Sequence, residues 1–127
     1  MTRLAITMGD PAGVGPEIIM KALQRVEVRA HDDTPSLVVL GCANALEQAA
    51  DALQMRPPPR IGLDDVASAT GVSCVPLDED APVPPLGVVS AAGGEFAYRA
   101  IEEAVRLSEQ GAIDAMVTAP LNKEALN

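Results

Sequence analysis

A glycine-rich segment near the start of the chain has the composition of a ligand-binding turn. It follows the apolar run Leu4 to Thr7 and reads Met8-Gly9-Asp10-Pro11-Ala12-Gly13-Val14-Gly15-Pro16-Glu17. Its glycines at 9, 13 and 15 permit positive φ and close approach of a ligand to the backbone, and a helix beginning at Pro16 offers unbonded N–H groups. On spacing alone, a tight strand-to-helix turn without a ligand is an equally good interpretation.

Neither of two familiar nucleotide-binding motifs is present in this turn. A Walker A loop needs GxxxxGK[ST], but Gly15 is followed by Pro16 and Glu17, so the phosphate-binding lysine is missing. The dinucleotide fingerprint GxGxxG lacks its third glycine, and the second predicted strand ends in Gly41-Cys42 without an acidic residue. The turn is therefore not an ordinary P-loop or Rossmann site.

Four polar side chains follow predicted strands and are candidates for a ligand cleft. Asp10 suits a metal or a ribose hydroxyl, although a role as a cap of the turn is favoured on the residues alone. Thr118, Asn122 and Lys123 offer a hydroxyl, an amide and a cation, as an anionic substrate requires. Asn122 and Lys123 fit the solvated first turn of a helix equally well. No catalytic or cofactor-binding residue is assigned.

The other reactive side chains are too few for common catalytic centres. His31 is the only histidine and stands in a polar loop, so a ligand role is disfavoured. Neither a histidine-rich metal site nor a Ser-His-Asp triad can be assembled from this chain. Cys42 and Cys74 have no CxxC spacing, so we expect two buried, inert thiols. The sequence predicts no metal site within the chain.

Alternating strands and helices are predicted to position these residues. Apolar runs indicate strands at residues 4–7, 37–41, 72–77 and 113–118, and helical spacing indicates helices at 16–25, 45–53 and 91–110. The last helix is predicted to bury Phe96, Ala97, Ala100, Ile101, Ala104, Val105 and Leu107. Pro57-Pro58-Pro59 indicates an extended connector, and residues 78–85 an exposed loop. This order predicts an α/β fold with helices covering a mainly parallel sheet.

The composition and charge of the chain argue against nucleic acid and membrane as partners. The 127 residues are 48% hydrophobic and 21% charged, which is typical of one globular domain. A net charge of −9, one Phe, one Tyr and no Trp argue against binding to nucleic acid. The sequence has neither a long apolar stretch nor a signal peptide, so we expect a cytoplasmic protein without a membrane partner.

Three segments resemble the 4-hydroxythreonine-4-phosphate dehydrogenases of pyridoxal phosphate biosynthesis. They are residues 4–17, the helix start Ser90-Ala91-Ala92-Gly93-Gly94, and Val117-Thr118-Ala119-Pro120-Leu121-Asn122-Lys123-Glu124-Ala125-Leu126. The resemblance implies a fold like that of isocitrate and isopropylmalate dehydrogenases, and a homodimer. It implies oxidation of 4-phosphohydroxy-L-threonine with NAD or NADP. The 3-oxo acid formed would decarboxylate to 3-amino-2-oxopropyl phosphate, in pyridoxine 5'-phosphate biosynthesis.

The resemblance covers only the N-terminal portion of such enzymes. It implies that residues 1–127 are the first part of the cofactor-side domain, and that the second domain lies outside this chain. A divalent metal such as Zn, Mg or Co would be held by histidines outside this chain, and this chain alone would be inactive. Alternatives are a paralogue acting on a phosphorylated four-carbon sugar acid or an aromatic cis-dihydrodiol, or a non-catalytic fragment.

Overall fold

Four strands and three α-helices alternate along the described part of the chain. The computed structural model describes residues 2–28, 34–78 and 81–120. Its elements are β1 (Arg3–Thr7), α1 (Gly15–Val28), β2 (Ser36–Gly41), α2 (Ala43–Ala52), β3 (Val72–Pro76), α3 (Ala91–Glu109) and β4 (Ala115–Thr118). A 3₁₀ helix that the sequence did not indicate, Leu63–Ser68, precedes β3. His31 lies outside the described residues.

The strands form one parallel sheet in the order β3-β2-β1-β4. The predicted α/β fold is therefore confirmed. β1 is paired on both sides, because Ala5 lies opposite Val38 of β2 and Met116 of β4. Each step between parallel strands requires a crossover, which a helix supplies. The chain builds from β1 to β3 in one direction and then places β4 on the other side of β1.

Alternating side chains of the strands feed two apolar cores, one on each face of the sheet. In β2, Leu37 and Val39 join the core under α1 and α2, whereas Val38 and Leu40 join the core under α3. Every residue of β2 is buried, as expected of a strand whose apolar run does not alternate with polar residues. α1 and α2 pack against each other, and α3 lies over β2 and β1.

Most predicted boundaries differ from the structure by one to three residues, and for two of them core packing extends or shortens the element. α1 continues beyond the predicted end near Arg25, since Val26 packs against the first core. β4 begins at Ala115 rather than residue 113. Ala112 and Ile113 are instead buried in the second core, and the Ala112 N–H donates to the Leu107 carbonyl at 2.9 Å.

The amphipathic pattern of α3 is confirmed except on one flank. Phe96, Ala97, Ala100, Ala104 and Leu107 are buried as predicted. Val105 was predicted to be buried and is 45% exposed, because no described element covers its side of the helix. The helix ends before Gly111, whose positive φ of 75° is typical of a glycine just after a helix. Within the described residues, no helix is long and apolar enough to cross a membrane.

Both cysteines are buried free thiols, as predicted. Burial raises the pKa of the Cys42 thiol, and it raises the pKa of the Cys74 thiol from its ordinary 9.0 to about 12. Both thiols are therefore protonated at neutral pH, and neither is a ready nucleophile.

Because the pKa of Cys74 is raised on folding, its contribution to stability has a defined pH window. The contribution is complete below pH 9.0 and is lost as the pH rises toward about 12, because the unfolded chain releases a proton that the folded chain keeps. Urea unfolding at several pH values from neutral to alkaline should show a shallower alkaline decline for Cys74→Ala than for the parent chain. Parallel declines in the two proteins would contradict this assignment.

Candidate functional site

The reversal of strand order between β1 and β4 creates a crevice at the carboxyl ends of these strands. Such switch points are where open α/β sheets bind ligands. Thr7 at the end of β1 lies opposite Thr118 at the end of β4, and the Ala119 N–H donates to the Thr7 carbonyl at 2.9 Å. The two segments that the sequence singled out, 8–17 and 118–123, therefore begin side by side.

Two glycines allow the turn after β1 to pack closely. Gly9 has a φ of 77°, and a Cβ there would lie 2.6 Å from the Pro120 carbonyl oxygen. A Cβ on Gly15 would overlap the Met8 carbonyl oxygen. Gly13 has no positive φ, and a Cβ there would meet only the Asp10 carbonyl oxygen at 3.4 Å. Gly9 therefore has the positive φ that was expected, whereas close approach of a ligand to the backbone at the three glycines stays a prediction.

Asp10 is 5% exposed and organises the turn. Its Oδ1 accepts a hydrogen bond from the Ala12 N–H at 2.8 Å, and its carbonyl accepts one from the Gly13 N–H at 3.0 Å. This is the capping geometry that the residues alone favoured. Burying a carboxylate is costly unless donors and dipoles compensate it, and here the first turn of α3 contributes to that compensation.

The start of α3 is shaped to receive this carboxylate. The Ser90 Oγ caps the helix by accepting from the Gly93 N–H at 3.1 Å. A Cβ on Gly93 would lie 2.7 Å from the Asp10 Cγ. Sequence reasoning did not assign Gly93 to the site. The available signal was a pair of glycines in a first helical turn, where glycine is a poor helix former.

A cavity of about 270 Å³ opens beside Asp10. It is lined by Asp10, Ala12, Gly13, Val14, Gly87, Val88, Val89 and Pro120. A groove of about 570 Å³ continues from it between α1 and α2, sharing Ala12, Gly13, Val14 and Gly87. The Gly87 N–H donates to the Ala12 carbonyl at 2.8 Å and so holds residues 85–89 against the turn. Nothing in the sequence of 85–89 indicated this role.

The linings carry negative charge only. Among the described residues, Asp10 and Glu17 are their charged side chains, and neither lining contains Lys or Arg. An anionic ligand would therefore need its positive charge from outside these linings. A larger cavity of about 720 Å³ lies at the opposite, amino-terminal edge of the strands, where Ser36 and Gly71 line it, so size alone does not mark the switch point.

The structure describes two of the four residues predicted to line a ligand cleft. Asp10 and Thr118 both lie at the crevice edge, Asp10 buried and Thr118 exposed. Asn122 and Lys123 lie outside the described residues. Within residues 2–28, 34–78 and 81–120, no group of three or more His, Cys, Asp or Glu side chains is arranged to hold a metal ion. The described residues alone thus do not fit a metal centre.

The fold and the crevice define an α/β protein with a candidate ligand site at a topological switch point. The sequence profile described as pyridoxal phosphate biosynthetic protein PdxA matches residues 33–127. The chain therefore belongs to this family.

Three similar proteins illustrate the relationship. A candidate D-threonate 4-phosphate dehydrogenase of Bradyrhizobium diazoefficiens is 47% identical over 98% of this chain and 36% of its own length. The D-threonate 4-phosphate dehydrogenase of Pectobacterium atrosepticum is 40% identical over 98% and 38%. The crystal structure of a 4-hydroxythreonine-4-phosphate dehydrogenase from Burkholderia phymatum superposes with a TM-score of 0.83 at 38% identity, covering 99% of this chain and 38% of that one. The chain thus spans little more than a third of these relatives.

Because Asp10 contacts the start of α3, we expect Gly93→Ala to destabilise the protein, although this substitution usually stabilises a helix. Alanine normally favours a helix over glycine by about 1 kcal/mol, yet here we expect a loss of stability of about 1–3 kcal/mol because the new methyl displaces the carboxylate. Urea unfolding measures the change. In the Asp10→Ala background the carboxylate is absent, so Gly93→Ala should be neutral or stabilising. Equal losses in both backgrounds would rule out this contact as the cause.

Proposed function

We propose that the full-length protein is an NAD- or NADP-dependent dehydrogenase of a phosphorylated four-carbon hydroxy acid. The observation that carries the proposal is the meeting of the glycine-rich turn and residues 118–120 at the switch point of the sheet. In this reaction a carbinol hydrogen leaves as hydride to the nicotinamide, the hydroxyl proton is released, and the alcohol becomes a ketone. Residues 1–127 would form the first part of the cofactor-side domain.

The residues of this chain would contribute binding and orientation. The cavity beside Asp10 and the groove that continues from it offer closely packed backbone and mainly apolar walls, which suit part of an extended dinucleotide. The Asp10 carboxylate would hold the turn in place through the Ala12 N–H. Thr118, Asn122 and Lys123 would face the substrate. Lys123 supplies a positive charge, which the described linings lack.

Two phosphorylated acids are the main candidates for the substrate. 4-Phosphohydroxy-L-threonine, which the sequence resemblance implies, carries an amino group at C2, whereas D-threonate 4-phosphate carries a hydroxyl there. The names of the Bradyrhizobium and Pectobacterium relatives favour the second compound. In either case the ketone formed at C3 is β to the carboxylate, so the product can lose CO₂. An aromatic cis-dihydrodiol is the third candidate.

The divalent metal and the homodimer implied by the resemblance belong to the same proposal. A metal ion, when bound, would act as a Lewis acid on the substrate oxygen. Its ligands would come from histidines outside this chain. The proposed compartment is the cytoplasm.

The test uses a hybrid protein in which residues 1–127 are joined to the remaining residues of the Bradyrhizobium relative. Purified hybrid is incubated with each phosphorylated acid or the dihydrodiol, with NAD or NADP, with and without divalent metal. Formation of reduced nicotinamide with one phosphorylated acid supports the proposal and identifies the substrate. Oxidation of the dihydrodiol alone, or no oxidation by a folded hybrid that binds metal, would overturn it.

For Lys123→Ala in the hybrid we expect kcat/KM for the phosphorylated acid to fall by about ten- to a hundred-fold, because a hydrogen bond to a charged group contributes about 1.5–3 kcal/mol. Steady-state kinetics measures the change. Arg106→Ala is the control for loss of a surface cation, since Arg106 lies 3.9 Å from Glu102 on α3, away from both linings, and its side chain is 54% exposed. An unchanged kcat/KM for Lys123→Ala would remove this lysine from the site.

A further inference from the structure

The groove between α1 and α2 has walls that suit a flat, mainly apolar ring. Its side along α2 is formed by Ala45, Ala49 and Ala52, which are spaced four and three residues apart and so share one face of the helix. Val14 and Leu86, which are 57% and 64% exposed, add larger apolar side chains to the lining. The volume of about 570 Å³ is typical of a site for a small molecule.

Two polar side chains of the groove lining have complementary hydrogen-bonding properties. Gln48 lies on the same face of α2 as the three alanines, and its amide both donates and accepts. A glutamine amide pairs in this way with the N6 and N7 positions of adenine. Glu17 lies in the first turn of α1, and its carboxylate only accepts. The groove therefore offers a partner for the edge of an adenine and an acceptor for hydroxyl groups.

The start of α1 is poorly suited to a phosphate group. A helix N-terminus binds phosphate through free N–H groups and through its dipole. Here Pro16 has no N–H, and the Ile18 N–H already donates to the Val14 carbonyl at 3.0 Å. Glu17 adds a negative charge, and its partner Lys21, 3.0 Å away, lies outside the groove lining. The lining therefore favours a neutral group that bears hydroxyls over an anionic group.

We propose that this groove binds the adenosine end of the dinucleotide, with Gln48 at the adenine and Glu17 at the ribose hydroxyls, and that Glu17 selects NAD over NADP. The inference rests on the use of a dinucleotide proposed above. The groove shares lining residues with the cavity beside Asp10, so the ligand would extend from the groove toward the switch point. NADP carries an additional phosphate of charge about −2 on the adenosine ribose. That phosphate would lie against the Glu17 carboxylate, without a Lys or Arg in the described linings to offset it.

The first experiment compares the binding of NADH and NADPH to the hybrid by calorimetric titration, which requires no turnover. We expect NADH to bind more tightly by about ten- to a hundred-fold. Glu17→Gln should weaken the binding of NADH and strengthen that of NADPH, so that the preference falls by about ten-fold. Glu102→Gln is the matched control, because Glu102 also faces a cation four residues later in its helix, at 3.9 Å, and is 47% exposed. A preference that Glu17→Gln leaves unchanged would overturn the proposal.

The second experiment asks which end of the dinucleotide occupies the groove. AMP and nicotinamide mononucleotide are each used to displace NADH from the hybrid. Gln48→Ala should weaken displacement by AMP by about ten-fold, because two hydrogen bonds to adenine are lost, and should leave displacement by nicotinamide mononucleotide unchanged. Gln110→Ala, at an exposed position of α3, is the matched control. If Gln48→Ala affects nicotinamide mononucleotide and not AMP, the groove holds the nicotinamide end and the proposal is wrong.

Failure of the adenosine site and failure of the proposed reaction give different results. A hybrid that binds NADH with the expected preference but oxidises neither phosphorylated acid supports the adenosine site and contradicts the reaction. A hybrid that oxidises one of the acids with NAD and NADP at equal kcat/KM supports the reaction and contradicts the selection by Glu17. A folded hybrid that binds neither NADH nor NADPH would overturn both proposals.

Discussion

The burial of the Asp10 carboxylate is the constraint on which the crevice depends. A carboxylate that is only 5% exposed must be compensated, and it meets the Ala12 N–H on one side and the start of α3 on the other. This position requires a residue without a side chain at Gly93 and a helix cap at Ser90 that leaves room for the approach. One charged group thereby joins the turn after β1 to a helix that is distant in sequence.

The turn is held at further points, and together they fix the backbone around the cavity. Gly9 lies against the carbonyl of Pro120, and the Ala12 carbonyl accepts from Gly87. The ends of β1 and β4 and the segment before α3 are consequently tied to one short loop. A ligand at this switch point would meet backbone groups already ordered, which reduces the entropy lost on binding.

Patterns of neighbouring residues predicted the helices and strands. The arrangement of the crevice, in contrast, depends on contacts between segments that are distant in sequence. The unbroken apolar run of β2 and the helical spacing of α3 depend on residues close in sequence, so both could be predicted. The contact between Asp10 and Gly93 joins positions far apart in sequence. The pair Gly93-Gly94 in the first turn of α3 was the sequence feature that could have indicated it. The neutral-looking segment 85–89 became part of the crevice through a single backbone hydrogen bond, which no side-chain pattern encodes.

Val105 shows that helical spacing in the sequence can predict burial for a side chain that the described residues leave exposed. Helical periodicity assigns Val105 to the buried side of α3, yet it is 45% exposed. Periodicity records the surroundings in which a sequence functions, and those include any element that packs beside the helix. Helical periodicity therefore predicts the side of α3 on which Val105 lies, whereas packing decides whether that side is covered.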